Sequence, residues 1–220
     1  MSDNLVELLL TSLGETLYMV IVAIAIACLI GIPLSIILTI TRKDHILPNA
    51  PVHNVLGAIV NAIRSVPFII LMVAIIPFTR FVVGSSIGTT AAIVPLTITC
   101  APFIARIIES SMLEIDPGVI EMAQSMGASP WQIIWKVMLP ESLHSILLGI
   151  TLALISLIGA SAMAGALGGG GLGDLAIRYG YQRFQTDVMV ATVIVLIVLV
   201  QGIQTIGNAV ARKLNKNKIS

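Results

Sequence analysis

Four stretches of the chain contain no Asp, Glu, Lys or Arg: Thr16–Thr41, Phe81–Ala105, Ser142–Gly173 and Val188–Ala211. Each is longer than the ~20 residues an α-helix needs to cross a bilayer. A fifth stretch, Ser65–Thr79, is shorter, but the residues before it, Val52 to Ile63, are apolar with a few polar breaks. Together these predict one helix from about Val52 to Phe81. Arg64 would lie inside it near the membrane surface, its long side chain snorkelling to water. The pattern predicts an all-α polytopic membrane protein with five crossings, at about 16–41, 52–81, 82–108, 142–167 and 187–211. A more polar loop, about 114–140, separates the third crossing from the fourth. Gly31, Pro33, Pro67, Pro77, Pro95 and Pro102 fall within crossings, where neighbouring helices re-satisfy freed carbonyls and kinks let helices pivot.

Composition agrees with that pattern. Of 220 residues, 57% are hydrophobic and only 10% charged, against about a quarter charged in a soluble domain. A net charge of +1 gives no electrostatic case for a nucleic-acid partner. Cys28 and Cys100 stand in separate apolar runs and read as small core residues. Met1 to Glu15 carries Asp3, Glu7 and Glu15 but no Lys or Arg, which does not fit a cleavable signal. Five crossings place the termini on opposite sides. With the C-terminus inside, Arg42, Lys43, Arg64, Arg106, Lys136, Arg212, Lys213, Lys216 and Lys218 are cytoplasmic, against Arg80, Arg178 and Arg183 outside. That bias predicts an outside N-terminus and a cytoplasmic 114–140 loop. The whole chain, 1–220, reads as a single transmembrane domain.

The loop has its own local code. Asp116-Pro117 marks a helix start, Asp capping free amides and Pro tolerating the first position. Val119, Ile120, Ala123 and Met126 recur at helical spacing, leaving Glu121, Gln124 and Ser125 for a polar face. Gly127 suits the left-handed residue that ends a helix. Ser129 with Gln132 then forms a capping-box pattern. The second short helix is expected to run to Leu139-Pro140, with the next crossing starting at Ser142. Trp131 and Trp135 read as interface anchors. A rigid elbow of two short helices results; the plainer alternative is an amphipathic interfacial loop.

The same stretch, EMAQSMGASPWQIIWKVMLP (Glu121 to Pro140), reads E-x-A-x-x-x-G and then, after nine residues, V-x-L-P. It resembles the cytoplasmic "EAA" loop of permease subunits of bacterial ABC importers. Met122 replaces the second alanine and Val137 the isoleucine, both still apolar. Three further segments, IVNAIRSVPFIILMVAIIPFTRFVVGSSI (Ile59–Ile87), IVPLTITCAPFIARIIE (Ile93–Glu109) and ASAMAGALGGGGLGDLAIRYGY (Ala160–Tyr181), narrow the likeness. With them the chain resembles the D/L-methionine ABC importer permeases, from roughly Thr16 to Asn208.

The resemblance implies a type I ABC importer permease fold in the bacterial cell membrane, working as a homodimer. It implies two cytoplasmic ATPase subunits, which would bind the ATP and Mg, and an extracytoplasmic methionine-binding lipoprotein. The permease itself would be non-catalytic and hold no cofactor or metal. Its ATPase-coupling residues would be Asp116, Glu121, Met122, Ala123, Gly127 and Ala128, with Leu139 and Pro140 closing the loop. The chain has no G-x₄-G-K-[S/T] phosphate loop. Gly168 to Gly173 formally contains G-x-G-x-x-G, but it follows a membrane span rather than a strand and runs into Asp174. A flexible hairpin outside the membrane, near the docking surface of the binding protein, is the expectation there.

The small-residue run Gly159 to Gly165 permits close helix approach across a dimer axis. Met163 within it would plug a narrow point of the path, with Ser161 and Gly159 beside it; the plain alternative for Met163 is gap filling. Arg106 and Glu109 would pair at the inner end of the third long stretch. His45, His53 and His144 have no metal-ligand spacing. Besides a membrane scaffold with no transport role, which would have no need of an elbow that receives a motor stroke, two rivals stand against this reading. One is an ABC permease for another small solute, such as a polar amino acid or phosphonate. The other is an ion-coupled carrier, disfavoured because every acidic residue falls outside the uncharged stretches and the shorter fifth.

Overall fold

The computed structural model describes residues 2–216, with side chains described over 5–214. Lys218, counted above among the basic residues, lies outside them. Helix α1 spans Ser2–Ile40, starting well before the expected Thr16. Isolated Glu7 and Glu15 do not interrupt an otherwise apolar helical run, so the uncharged stretch understated its length. The part apolar enough to cross a membrane is Leu5–Ile40.

The single helix expected over 52–81 is not there. In its place stand α2 (Ala50–Ser65), α3 (Phe68–Ala74) and α4 (Ile76–Val83), and α2 meets α3 at 102°. Pro67 is the cause. It offers no amide to the Ile63 carbonyl, which accepts instead from Val66 N at 3.3 Å. Val66, forced off the helical region by the proline after it, is extended at φ −85°, ψ 125°. Among the described residues four helices are long and apolar enough to cross a membrane, and the bent α2–α3 pair makes a fifth if it counts as one crossing.

Helix α5 (Thr89–Leu113) is the centre of the bundle. It packs against α1 on one side and against α8 (Leu139–Ala164) on the other. Leu96, Ile104, Ile108 and Met112 of α5 are fully buried, as are Met19 and Leu38 of α1. Gly31 permits the α1–α5 approach, since a Cβ there would sit 2.8 Å from the Ala101 carbonyl oxygen. Helix α10 (Thr186–Lys216) lies on the outside, with Val190, Val193, Ile194, Ile197 and Val198 exposed. Such a face suits lipid, where apolar side chains carry no exposure penalty.

Two short helical pieces, α6 (Pro117–Ser125) and α7 (Pro130–Ile133), connect α5 to α8. The second short helix does not stop at Leu139-Pro140 as expected. It passes through a π-turn, Ile134–Met138, straight into α8. Leu139 N reaches back five residues to Ile134 O, a widened turn that lets the chain absorb Pro140 without breaking.

Candidate functional site

The elbow is built from its caps outward. Asp116 Oδ1 accepts from Gly118 N at 2.8 Å and opens α6. At the far end Gly127 N donates to Gln124 O (2.9 Å) and Ala128 N to Ala123 O (3.1 Å). That pair of bonds is a Schellman cap, with Gly127 in the left-handed conformation at φ +78°. Ser129 N donates to Gln132 Oε1 at 2.9 Å, and Gln132 N to Ser129 Oγ at 3.4 Å. Both halves of the expected capping box are present.

What anchors the elbow is its inner face. Ile115, Ala123, Ile133, Ile134 and Met138 belong to the same core as Ile108, Met112 and Ile146 of the long helices. Ser145 Oγ also donates to Glu114 Oε2 at 3.0 Å. The elbow is thus packed directly onto α5 and α8. Leu139 is half-buried at the root and Pro140 exposed.

The outer face is apolar and open. Met122 is 58% exposed, Met126 76% and Trp131 67%, with Glu121 and Gln124 exposed between them. Met126 was expected on the buried side of α6. It lies outward because α6 ends at Ser125 and Met126 already turns into the cap. The Trp131 and Trp135 rings lean together, centroids 5.3 Å apart at 59°. Beside α6, Asp44, His45 and Ile46 of the α1–α2 connection close a groove of about 210 Å³ with Ile120, Glu121 and Gln124. Burial, and then the nearby Arg42 charge, pushes the His45 imidazole below its ordinary pKa.

The residues expected at the gate divide. Gly159 and Met163 share one exposed face of α8 with Leu152 and Ser156, and Met163 is 48% exposed. Ser161 does not join them. It is buried, and its hydroxyl donates to Ile158 O at 2.8 Å.

The glycine segment is not a flexible hairpin. It kinks within Gly165–Gly169, where Leu167 and Gly168 leave the helical region, continues into the short helix α9 (Gly171–Leu175), and is packed against α1. Glu15 Oε2 accepts from Gly171 N at 2.6 Å, and Thr16 Oγ1 from Leu172 N at 2.9 Å. Leu172 is fully buried. Gly171 has φ +76° and no room for a Cβ beside Thr16 and Met19. The sequence offered composition, which reads as flexibility; the contacts that fix the segment come from residues far away in the chain.

Two polar features also depart from expectation. Arg106 Nη1 does pair with Glu109 Oε2, at 2.7 Å. Arg106 Nη2 also donates to Gly57 O (3.2 Å) and Asn61 Oδ1 (3.1 Å), tying α5 to α2. Because α5 runs on to Leu113, Glu109 lies inside a membrane-capable helix, only 5% exposed. An acidic residue is thus buried in a span after all, but with its own cation. Arg64 is the second departure. It ends α2 at the 102° bend and lines a cavity of about 260 Å³ with residues of α5 and α8. Its neighbours there include Cys100, near the middle of the Thr89–Leu113 span, while Arg64 itself remains exposed. His53 Nδ1 pairs with Leu38 O and His144 Nδ1 with Ala211 O, each at 2.9 Å, and both serve to fasten helix to helix.

An anchored elbow with an open apolar face, beneath a bundle of membrane-capable helices, is an arrangement shared with known proteins. The family model described as "binding-protein-dependent transport system inner membrane component" matches residues 31–218. The chain belongs to this family. It is 57% identical over 209 residues to the probable D-methionine transport system permease protein MetI of Vibrio cholerae, covering 95% of this chain and 93% of the relative. It is 43% identical over 180 residues to the methionine import system permease protein MetP of Bacillus subtilis, covering 82% and 81%. A chain of the inward-facing MetNI methionine ABC transporter superposes with a TM-score of 0.95 at 46% identity, over 97% of this chain and 99% of that one. An amino acid ABC transporter at 20% identity, with a TM-score of 0.80, shares the fold. As a member of this family the chain is an inner-membrane transport component, and the match includes the elbow and the glycine segment. Glu15 and Thr16, which hold that segment, precede it.

Proposed function

We propose that this chain is the permease subunit of an ATP-driven importer of L- and D-methionine. The elbow carries the reading. Its inner face is locked into α5 and α8, while Met122, Met126 and Glu121 stand open around a glycine cap whose Cβ position meets nothing within 4 Å. Flexible methionines on an open face suit a partner groove. The occupant we assign is a cytoplasmic ATPase subunit, one for each of two permease copies. Asp116, Glu121, Met122, Gly127 and Ala128 form the docking element, braced from within by the buried Ala123, and Leu139 and Pro140 its root. The partner ATPases bind ATP and Mg; this chain supplies no catalytic group.

The elbow end is then cytoplasmic and the glycine-segment end faces outward, toward a methionine-binding lipoprotein that delivers substrate. Gly159 and Met163 face the second copy of this chain, with Met163 as the outer gate; Ser161 supports the helix from behind. Closure of the ATPases moves the two elbows, and the packed core passes that motion to the gate. Inverting a 1:99 population of outward-open and inward-open states takes about 5.5 kcal/mol. Similarity to relatives named for methionine transport supports this solute over other small ones.

The test is uptake of labelled L- and D-methionine by cells lacking their own transporter, with this chain expressed beside its ATPase and binding protein. Saturable uptake of both enantiomers is expected. An assembled wild-type complex that takes up neither would send the solute assignment to another small molecule.

A further inference from the structure

The cavity at the α2–α3 bend holds an unusual combination of groups. Its walls include Arg64, Thr99, Cys100, Phe103, Ser156 and Leu157. Among the described residues the Arg64 guanidinium has neither a hydrogen bond nor an ion pair, and the Ser156 hydroxyl has no partner. Most hydroxyls in these helices bond a carbonyl one turn back, as Ser142 and Thr151 do. Ser156 does not, and so stays available. Thr99 Oγ1 donates its only proton to Pro95 O at 3.0 Å, leaving it an acceptor toward the cavity.

Arg64 lies within a bent helix pair that is together apolar enough to cross a membrane, and an ionisable group inside a span is costly and calls for a partner of opposite charge. A lipid headgroup lies at the interface rather than at the level of Cys100, so lipid phosphate does not meet that need. We infer that this cavity is a transit site for the transported amino acid, with Arg64 as the anchor of its carboxylate. The inference rests on the proposed import of methionine. A guanidinium matches a carboxylate with two parallel N–H donors. Thr99 accepts from the ammonium group, and Ser156 bonds either end. Phe103, Leu157 and Cys100 offer the apolar side on which a thioether packs well. At about 260 Å³ the space falls just under the usual range of small-molecule sites, roughly 300–1,000 Å³, as suits one amino acid. Ala160, on the cavity wall, is one helical turn from Met163, so the site lies directly inside the proposed gate.

The complete importer in proteoliposomes, loaded with photo-methionine, tests this. That amino acid keeps the carboxylate and carries a diazirine in its side chain, so irradiation during turnover marks what it touches. Mass spectrometry should find adducts at 99–103 and 153–160, suppressed by excess methionine. In Arg64→Gln these adducts should fall about tenfold or more, the worth of a charge-assisted bond, while adducts near Met163 persist. Arg64→Lys should restore part of the loss. Undiminished adducts in Arg64→Gln, an equal fall near Met163, or none at 99–103 and 153–160 in a wild type that imports methionine would each overturn the site. A wild type that imports no methionine overturns the proposed function instead.

Discussion

The elbow and the glycine segment both join long helices through a glycine at positive φ, but they are built in opposite ways. In the elbow every cap bond spans five residues or fewer, and Gly127, at φ +78°, has open space where its side chain would be. In the glycine segment the decisive bonds reach back 156 residues to Glu15 and Thr16, and the glycines are packed against backbone and side chains. One region builds its own shape and presents a surface. The other is held in place by distant residues, those of α1 above all. A partner can seize the first without disturbing the fold, whereas the second works as a fixed joint between α1, α8 and α10.

That contrast breaks first at Gly173. A Cβ there would collide with the Ala162 carbonyl and Cα, backbone atoms that cannot rotate away. Gly173→Ala should destabilise the purified permease by about 3 kcal/mol or more, read as a lowered melting temperature in detergent. Retention of wild-type melting would mean that α9 is free to slide. Next comes Thr16→Val, which keeps the shape but leaves the buried Leu172 amide without its acceptor. We expect a loss of about 2 kcal/mol, with faster amide exchange at Leu172, and recovery in Thr16→Ser.

Gly127→Asp sharpens the other side of the comparison. Left-handed strain on a non-glycine residue costs about 1–2 kcal/mol, and a Cβ at this position meets no neighbour in this chain within 4 Å. The variant should reach the membrane and melt within a few degrees of wild type, yet lose most methionine uptake because the ATPase no longer seats. Normal uptake would move the docking point away from Gly127.

How legible each region is in the sequence follows from the same difference. The caps at Asp116, Gly127 and Ser129 were readable because each is encoded within one or two turns. The long apolar helices were readable from length and composition. The glycine segment misled, since Gly168 to Gly173 looks flexible until Glu15 and Thr16 are brought beside it. The α2–α3 bend misled for a related reason: Pro67 allows either a kinked continuous helix or a 102° turn, and tertiary packing chooses. That turn brings Arg64, still exposed, to the edge of a cavity shared with α5 and α8. The ties from Arg106 to Gly57 and Asn61 carry no spacing signal at all, because they join two helices whose register only the fold sets.

The smallest effect should come from Ser129→Ala, and its size tests whether the elbow is as self-built as the comparison holds. The bond that this variant removes, Gln132 N to Ser129 Oγ, is 3.4 Å long and exposed, so water can replace much of it. The reciprocal bond from Ser129 N to Gln132 Oε1, at 2.9 Å, uses the backbone of residue 129 and survives the substitution. A loss near the low end for a cap, about 0.5 kcal/mol, is therefore expected, with uptake within about twofold of wild type and faster exchange confined to the Gln132 amide. A drop in uptake as deep as that of Gly127→Asp, without a comparable loss of stability, would show that Ser129 itself touches the ATPase. The docking face would then extend past the glycine cap onto α7, toward the exposed ring of Trp131.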